Sequence, residues 1–347
     1  MSRLHLFQIF LLLTSLAGCS SFSVMNFEVM RPAGYSVPPE IKSVVLVDNS
    51  IVFPDTNVSI IMLDKEIIKV DTTKVADYSS HVLNTIRDEL LSRMFFDTVY
   101  VDTIQYKKIS RGAALGKLSY NQIQNICSKF GADAIISLDA YRYTNNISIQ
   151  TLIDYDEYYS TYDASAINYW RIYDCFNMSI LNFHLQQDTI FWDNIGSTLN
   201  GSLNPFISFD KATHKIGSYL SYQMVDYLVP YWEEVSRNLY TSGSMHFLNA
   251  SDWVNRGNWE EAEKIWNYIY SNSSKKAKIK AALNLALAFE RYGDIDEATD
   301  WAYKVYKILE ENDTKTNSDI NRYAVDYYIN LSKRKQEYKK LIEQLGE

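Results

Sequence analysis

The chain has 347 residues, a formal net charge of −8 and an apolar fraction of 47%. This length predicts two domains, and the apolar fraction is sufficient for each to form a core. The acidic balance argues against nucleic acid as a partner, because a nucleic-acid-binding face is basic. The 27 tyrosines suit polar interfaces and sugar-binding faces, since the ring is apolar and its hydroxyl is polar.

The first nineteen residues have the features of an export signal. Arg3 precedes an apolar run, Phe7 to Leu13, that is shorter than the roughly 20 residues needed to span a bilayer. Leu16-Ala17-Gly18-Cys19 then resembles a bacterial lipobox. The resemblance implies a signal peptide at 1–18 and lipid, palmitate included, on Cys19. The alternative is an ordinary signal peptide with an accidental cysteine.

The same resemblance gives an expected location. In lipoproteins of this kind an acidic run after the lipidated cysteine can direct export to the cell surface, and no such run follows Cys19. We therefore expect an outer-membrane protein that faces the periplasm. Residues 19–42 predict a lipidated tether, because Pro32, Pro38 and Pro39 disfavour regular structure.

Residues 43–242 alternate between strand and helix patterns. Trp170 to Ile180 predicts a long strand, Gln186-Gln187-Asp188 a turn, and residues 189–195 the hairpin partner. The order predicts an α+β domain, a mixed sheet flanked by helices. Predicted strands lie at 44–47, 58–63, 99–101, 132–143 and 235–240, and predicted helices at 76–95, 123–130 and 212–227.

Four segments carry a resemblance to known lipoprotein domains: Lys42–Val47, Leu90–Phe95, Gly131–Ile136 and Asp188–Trp192. They resemble TolB's amino-terminal part, the curli secretion lipoprotein and activators of peptidoglycan synthases. With Arg31-Pro32-Ala33 and a helical tail, the chain also resembles a Bacteroidetes outer-membrane lipoprotein family of undefined function. These resemblances imply a fold but no site.

The tail, residues 243–347, contains a repeated motif. Gly257-Asn258-Trp259-Glu260-Glu261-Ala262 recurs as Gly293-Asp294-Ile295-Asp296-Glu297-Ala298. The spacing of the two motifs is close to the roughly 34 residues of a tetratricopeptide repeat. It predicts an all-α, tetratricopeptide-like region. An unrelated helical bundle is the alternative. Two repeats are fewer than the roughly three needed for stability, so we expect cover from the sheet domain. The predicted packing positions are Trp253, Gly257, Ala262, Trp266, Phe289, Gly293 and Ala298.

Motifs for catalysis and metal binding are absent from the sequence. It contains no His-Glu-x-x-His, Cys-x-x-Cys or Gly-x-Ser-x-Gly pattern. We therefore predict a non-catalytic protein without metal or cofactor, and keep a hydrolase with an unrecognised site as a lesser hypothesis. Cys127 falls on an apolar helix stripe and is expected to be a buried free thiol, with a Cys127–Cys175 disulfide left open.

One polar stretch, 154–169, combines carboxylates with tyrosines. A glycan could bind there, whereas calcium is disfavoured because no glycine shapes a loop for it; a solvated connector is the alternative. The candidate ligand residues are Asp154, Asp156, Tyr158, Tyr159 and Tyr162. The leading hypothesis is a lipid-anchored scaffold that binds unidentified envelope proteins, and the second is glycan or peptidoglycan recognition by this stretch.

Overall fold

The structure is a computed structural model that describes residues 22–52, 57–72, 75–106, 108–109, 116–311 and 318–346. The signal peptide, Cys19 and the start of the predicted tether lie outside the described residues. The strands are β1 Phe22–Arg31, β2 Ser43–Val52, β3 Val58–Leu63, β4 Glu66–Thr72, β5 Thr98–Val101, β6 Lys108–Ile109, β7 Ala134–Leu152, β8 Glu157–Asp174, β9 Ser179–Gly196 and β10 Tyr231–Tyr240. The helices are α1 Tyr78–Arg93, α2 Tyr120–Phe130, α3 Leu199–Leu203, α4 Phe209–Leu228, α5 Met245–Asn255, α6 Trp259–Asn272, α7 Lys275–Tyr292, α8 Ile295–Glu310 and α9 Asp319–Leu345.

The chain forms two compact units. The first, here called the sheet unit, is Ala33–Val229. The second, here called the helical unit, joins the amino-terminal segment that ends at Pro32 to Pro230–Glu347. β10 therefore belongs to the helical unit, although it precedes the boundary expected at residue 242.

The sheet unit is built on one mixed sheet centred on β7. One edge of β7 pairs in parallel with β2 along its first half and with β3 along its second half. β5 and β6 pair with β2, and β4 pairs with β3. The other edge of β7 pairs antiparallel with β8, and β8 pairs with β9.

Helices cover the two faces of this sheet unequally. α1 and α4 pack on one face, where Val82, Ile86 and Ile216 join the core around Leu46 and Ile136. α2 packs on the other face, where Ile123 and Ile126 contact the group around Ile135. The predicted α+β class is confirmed, and the three predicted helices lie at the predicted places.

The predicted turn at Gln186–Asp188 is wrong, because these residues lie in the middle of the 18-residue strand β9. The turn between β8 and β9 is at residues 175–178 instead. Gln186 points inward, where it accepts a hydrogen bond from Trp170 Nε1 at 2.7 Å and donates one to the Leu220 carbonyl at 3.1 Å. Buried hydrogen-bond partners thus satisfy the side-chain amide of Gln186, although glutamine and aspartate in succession are typical of a turn.

The expectation of a free thiol at Cys127 is also wrong. Cys127 and Cys175 form a disulfide with their Cα atoms 5.7 Å apart. α2 ends at Gly131, and the Cys175 amide donates a hydrogen bond to the Asp133 carbonyl at 2.9 Å. The hydrogen bond joins the end of β8 to the start of β7, and the disulfide joins it to the last turn of α2.

The tether prediction is wrong for residues 22–31. They form β1, which pairs antiparallel with β10 over the full register from Phe22↔Tyr240 to Arg31↔Tyr231. Phe22, Met25 and Phe27 pack against the core of the helical unit. The two predicted repeats therefore gain cover from the segment that follows Cys19 in sequence.

The run of helices predicted for the tail is confirmed. Gly257 and Gly293 each follow the first helix of a helical hairpin, α5–α6 and α7–α8, with φ of 78° and 86°. Asn258 and Asp294 then cap the second helices. Ala262, Trp266 and Ala298 are fully buried, whereas Trp253 and Phe289 are partly buried against the same core. The tetratricopeptide class itself stays a prediction. Of the helices that the structure describes, none combines the length and hydropathy needed to cross a bilayer.

Candidate interaction surface

The tyrosine- and acid-rich stretch is a hairpin tip and a strand rather than a loop. Asp154 and Asp156 lie at the tip between β7 and β8, where Asp156 adopts a left-handed conformation with φ of 53°. Tyr158, Tyr159 and Tyr162 lie within β8. The predicted ligand loop is thus corrected to a β-hairpin.

These tyrosines do not converge on one site. Tyr158 and Tyr162 turn inward, and Tyr162 is fully buried with its hydroxyl donating to Asn145 Oδ1 at 2.9 Å. Tyr159 points to the opposite face, where its hydroxyl donates to Asp193 at 3.3 Å. Successive residues of a strand face opposite sides of its sheet, so Tyr158 and Tyr159 cannot share a ligand.

The outer face of β9 exposes apolar side chains. This name is used for Phe183, Leu185, Phe191 and Ile195, which are 50%, 49%, 54% and 54% exposed. All four have odd numbers and lie on one side of the strand. They form two pairs, Phe183 with Leu185 and Phe191 with Ile195. Exposed apolar groups that lie together on a surface mark interaction sites in soluble proteins.

The neighbouring strand extends this surface. Across the ladder from β9, Tyr169 pairs with Leu185, Asp163 with Phe191 and Tyr159 with Ile195. Burial raises the pKa of the Asp163 carboxyl, which makes its charged form less favourable beside Phe191. The same face also carries Asp193, between Phe191 and Ile195, and Arg171, whose guanidinium lies 5.9 Å from the Phe183 ring centroid. The surface is therefore aromatic with a charged side chain near each end.

The edge of β9 is open within the part of the chain that the structure describes. β9 pairs with β8 alone along its 18 residues. In an antiparallel pair alternate residues direct their N–H and C=O groups away from the partner, so one side of β9 offers hydrogen bonds to a further strand. A long open edge with apolar side chains is a template for strand addition.

Polar contacts on the inner face hold β9 in place. Asn182 Nδ2 donates to the Tyr227 hydroxyl at 3.0 Å, and the His184 ring stacks on Tyr227 with centroids 3.7 Å apart. Asn194 donates to the carbonyls of Gly201 and Ser202 at 3.2 and 3.1 Å. The strand is thus fixed to α3 and α4 while its other face stays exposed.

A buried polar network lies where β2 and β7 change register. Asp139 accepts hydrogen bonds from Asn49 at 3.0 Å and Ser137 at 2.7 Å, and pairs with Arg171 at 2.5 Å. Asp48 accepts from Ser79 at 2.7 Å and from Ser50. The ladder between β2 and β7 shifts between Asp48 and Ile51, so these bonds stabilise an irregular part of the sheet. Among the described residues no cluster of three or more His, Cys, Asp or Glu is arranged to hold a metal ion.

A second buried network joins the β1–β10 ribbon to the helices. Glu290 of α7 accepts two hydrogen bonds from Arg237 of β10, both at 2.8 Å, and one from the Tyr327 hydroxyl at 2.6 Å. Arg334 of α9 also donates to Glu290. Burial and the Glu290 charge raise the pKa of Tyr327, which keeps its hydroxyl a donor. These contacts fix the ribbon on the helical unit.

The sequence pointed to neither β1 nor the surface of β9. For β9 a usable signal was present, since Phe183 and Leu185 share a parity with Phe191 and Ile195 on either side of the polar residues 186–188. For β1 the pairing partner lies about 200 residues away, and no local pattern identifies it.

Two family models match the chain. One, described as a domain of unknown function (DUF8603), matches residues 41–240. The other, described as a domain of unknown function (DUF6340), matches residues 248–333. A comparison with curated proteins finds no match.

Solved structures with low similarity include three bacterial proteins, of which one is described as hypothetical. The PelC dodecamer from Paraburkholderia phytofirmans is 8% identical, with 59% of this chain and 99% of that chain covered and a TM-score of 0.26. Lipoprotein GNA1162 from Neisseria meningitidis is 14% identical over 53% and 98%, with a TM-score of 0.19. The hypothetical protein CT253 from Chlamydia trachomatis is 12% identical over 54% and 97%, with a TM-score of 0.21. Similarities at this level do not bear on function.

Proposed function

The chain belongs to the family described as a domain of unknown function (DUF8603), and from that starting point we propose that it is a non-catalytic, lipid-anchored protein of the cell envelope. It acts as a scaffold that binds another envelope protein through the open edge and outer face of β9. The lipid is carried by Cys19, and the location is the periplasmic side of the outer membrane. The likeness to TolB-type and curli-secretion-type lipoprotein domains stays a prediction.

One observation carries the proposal. β9 combines an 18-residue open edge with the half-exposed side chains Phe183, Leu185, Phe191 and Ile195 on one face. Backbone groups along such an edge give affinity to an added strand, and alternate side-chain contacts give specificity. Proteins normally blunt such an edge with lysine or proline, and β9 contains neither.

Two further observations support an envelope location. The Leu-Ala-Gly-Cys pattern at residues 16–19 closes a short apolar run. The Cys127–Cys175 disulfide belongs to a type that persists in oxidising compartments outside the cytoplasm.

The binding surface is tested by charging it. We expect Leu185→Lys with Phe191→Lys to fold normally, because both side chains are about half exposed, and to abolish formaldehyde crosslinks to the partner in living cells. The matched control is Tyr219→Lys with Tyr222→Lys, which charges two exposed aromatic residues of α4. Mass spectrometry of the crosslinked species identifies the partner.

The result that contradicts this surface is an unchanged crosslinking pattern in the β9 variant, or equal loss in the α4 control. Crosslinks formed only between copies of this chain would contradict a separate partner. The anchor is tested by Cys19→Ser, which should leave the protein in the soluble fraction; its retention in the membrane fraction would contradict lipidation.

A further inference from the structure

The distance between the anchor and the folded chain is short. β1 begins at Phe22, three residues after Cys19. Three residue steps span at most about 11 Å. If Cys19 is lipidated, as the proposed function requires, the end of the helical unit at Phe22 must lie close to the bilayer surface.

The residues around Phe22 identify that end of the unit. Phe22 pairs with Tyr240, and their ring centroids are 5.9 Å apart. Lys280 of α7 has its ammonium 5.7 Å from the same Tyr240 ring and donates to the Ser242 carbonyl at 3.1 Å. Lys280 therefore lies at the end of the ribbon that leads to the anchor.

The first turn of α7 carries more lysines, and the direction of this helix places them further along than Lys280, past the Tyr240 end of the ribbon. Along β10, Arg237 bonds to Glu290 and Tyr240 bonds to Asn284, so α7 runs antiparallel to β10. The first turn of α7 lies about 7.5 Å further along, at 1.5 Å per residue. It carries Lys275, Lys276 and Lys278, none of which has a salt bridge among the residues described.

The lysines of this end lie close enough together to repel one another. The pKa of Lys280 is lowered, first by burial and then by the positive charge of Lys276. Exposed apolar side chains begin α5, where Met245 and Leu248 are 69% and 52% exposed. Gly243, two residues before the start of α5, lies next to Lys280: a Cβ atom at this position would be 3.8 Å from the Lys280 ammonium. The start of α5 is therefore close to this end of α7.

The opposite end of the helical unit is acidic. Glu260 and Glu261 begin α6, and Asp296 and Glu297 begin α8. α6 starts near the end of α7, because Trp259 lies under Arg291 at 5.0 Å. Carboxylates also lie near the first turn of α7, since Leu309 and Ser318 line a pocket with Lys275 and Lys276. There Glu310 and Asp319 pair with Lys307 and Arg322, which leaves the lysines of α7 without an acidic partner among the described residues.

We propose that Lys275, Lys276 and Lys278, with Met245 and Leu248, form a membrane-contact surface that binds the anionic headgroups of the bilayer in which Cys19 is anchored. Here this surface is called the lysine end. Each lysine near an anionic membrane contributes about a five-fold gain in binding, and the effect falls off within a Debye length of about 8 Å. The short chain after Cys19 keeps the lysine end near the headgroups, so the lipid and the lysines together orient the helical unit.

The experiment measures the depth of each end in vesicles. The lipidated protein is reconstituted in vesicles that contain phosphatidylglycerol and a headgroup spin label, with a fluorophore attached at Met245→Cys or at Glu260→Cys. We expect strong quenching at position 245 and little at position 260. Quenching at 245 should fall severalfold in Lys275→Glu/Lys276→Glu/Lys278→Glu, in high salt, and in purely zwitterionic vesicles.

The matched control reverses the charge of three lysines that lie outside the lysine end, in the variant Lys264→Glu/Lys333→Glu/Lys339→Glu. It should leave quenching at position 245 unchanged. Equal quenching at both positions, or no effect of the lysine-end reversal, would overturn the proposal. These outcomes are distinct from a failure of the proposed function, in which the wild-type chain carries no lipid and does not remain with the vesicles at all.

Discussion

His184 lies on the inner face of β9, where burial lowers the pKa of its imidazole. Its ring stacks on Tyr227 at a centroid distance of 3.7 Å, in the layer between β9 and α4. An unfolded histidine titrates near pH 6.5. Below that pH the unfolded chain binds a proton that the folded chain resists, so folding stability falls as the pH falls.

We therefore expect the urea midpoint of the wild-type protein to decrease between pH 7.5 and pH 5.5, and to decrease less in His184→Gln. An identical pH dependence in wild type and His184→Gln would contradict the role of this half-buried ring.

Gln186 shows why part of β9 could not be predicted. Two glutamines and an aspartate in succession have the composition of a turn, and at the residue scale nothing in the sequence indicates that Trp170 Nε1 and the Leu220 carbonyl bind Gln186. The helix positions were predictable because Val82, Ile86 and Leu90 repeat locally. A polar side chain that is satisfied from another element has no such signature.

Among the elements, α2 is joined to the turn after β8 by the Cys127–Cys175 disulfide, across 48 residues. Closing a loop of this size removes conformational entropy from the unfolded chain worth about 4 kcal/mol, a value that measured disulfides often do not reach. The bond also keeps α2 on the face of the sheet next to Ile135.

We predict that reduction with dithiothreitol, or Cys127→Ala with Cys175→Ala, lowers the free energy of unfolding by about 2–4 kcal/mol. Urea unfolding followed by circular dichroism measures the change. The reductant should have no effect on the double variant. An unchanged midpoint in a sample whose two thiols are shown to be free by alkylation would contradict the prediction.

β1 is the element that could not be predicted from the sequence. Its residues contain apolar positions, but its pairing with β10 joins two ends of the chain about 200 residues apart. The proline-rich segment that follows it is typical of a linker. The repeats in the tail were predictable because their glycine and alanine positions recur at a fixed spacing, whereas the ribbon that covers them has no repeat.

At the scale of the whole molecule, the two proposals assign one role to each unit. The helical unit follows the anchor by three residues and presents its lysine end to the bilayer. The sheet unit presents the open edge of β9 to another protein. The role of the lysine end requires the lipid at Cys19, whereas the role of β9 as a binding surface can fail without affecting it.

The most direct test of the central claim is a crosslinking scan along β9 in living cells. A photoreactive amino acid is placed singly at outward positions Phe183, Leu185, Phe191 and Ile195, and at inward positions Asn182 and Asn194. We predict crosslinks to one envelope protein at the outward positions and none at the inward positions, with a period of two residues. Equal crosslinking on both faces, or none at the outward positions of a folded and membrane-bound protein, would contradict the proposal that this strand is the binding surface.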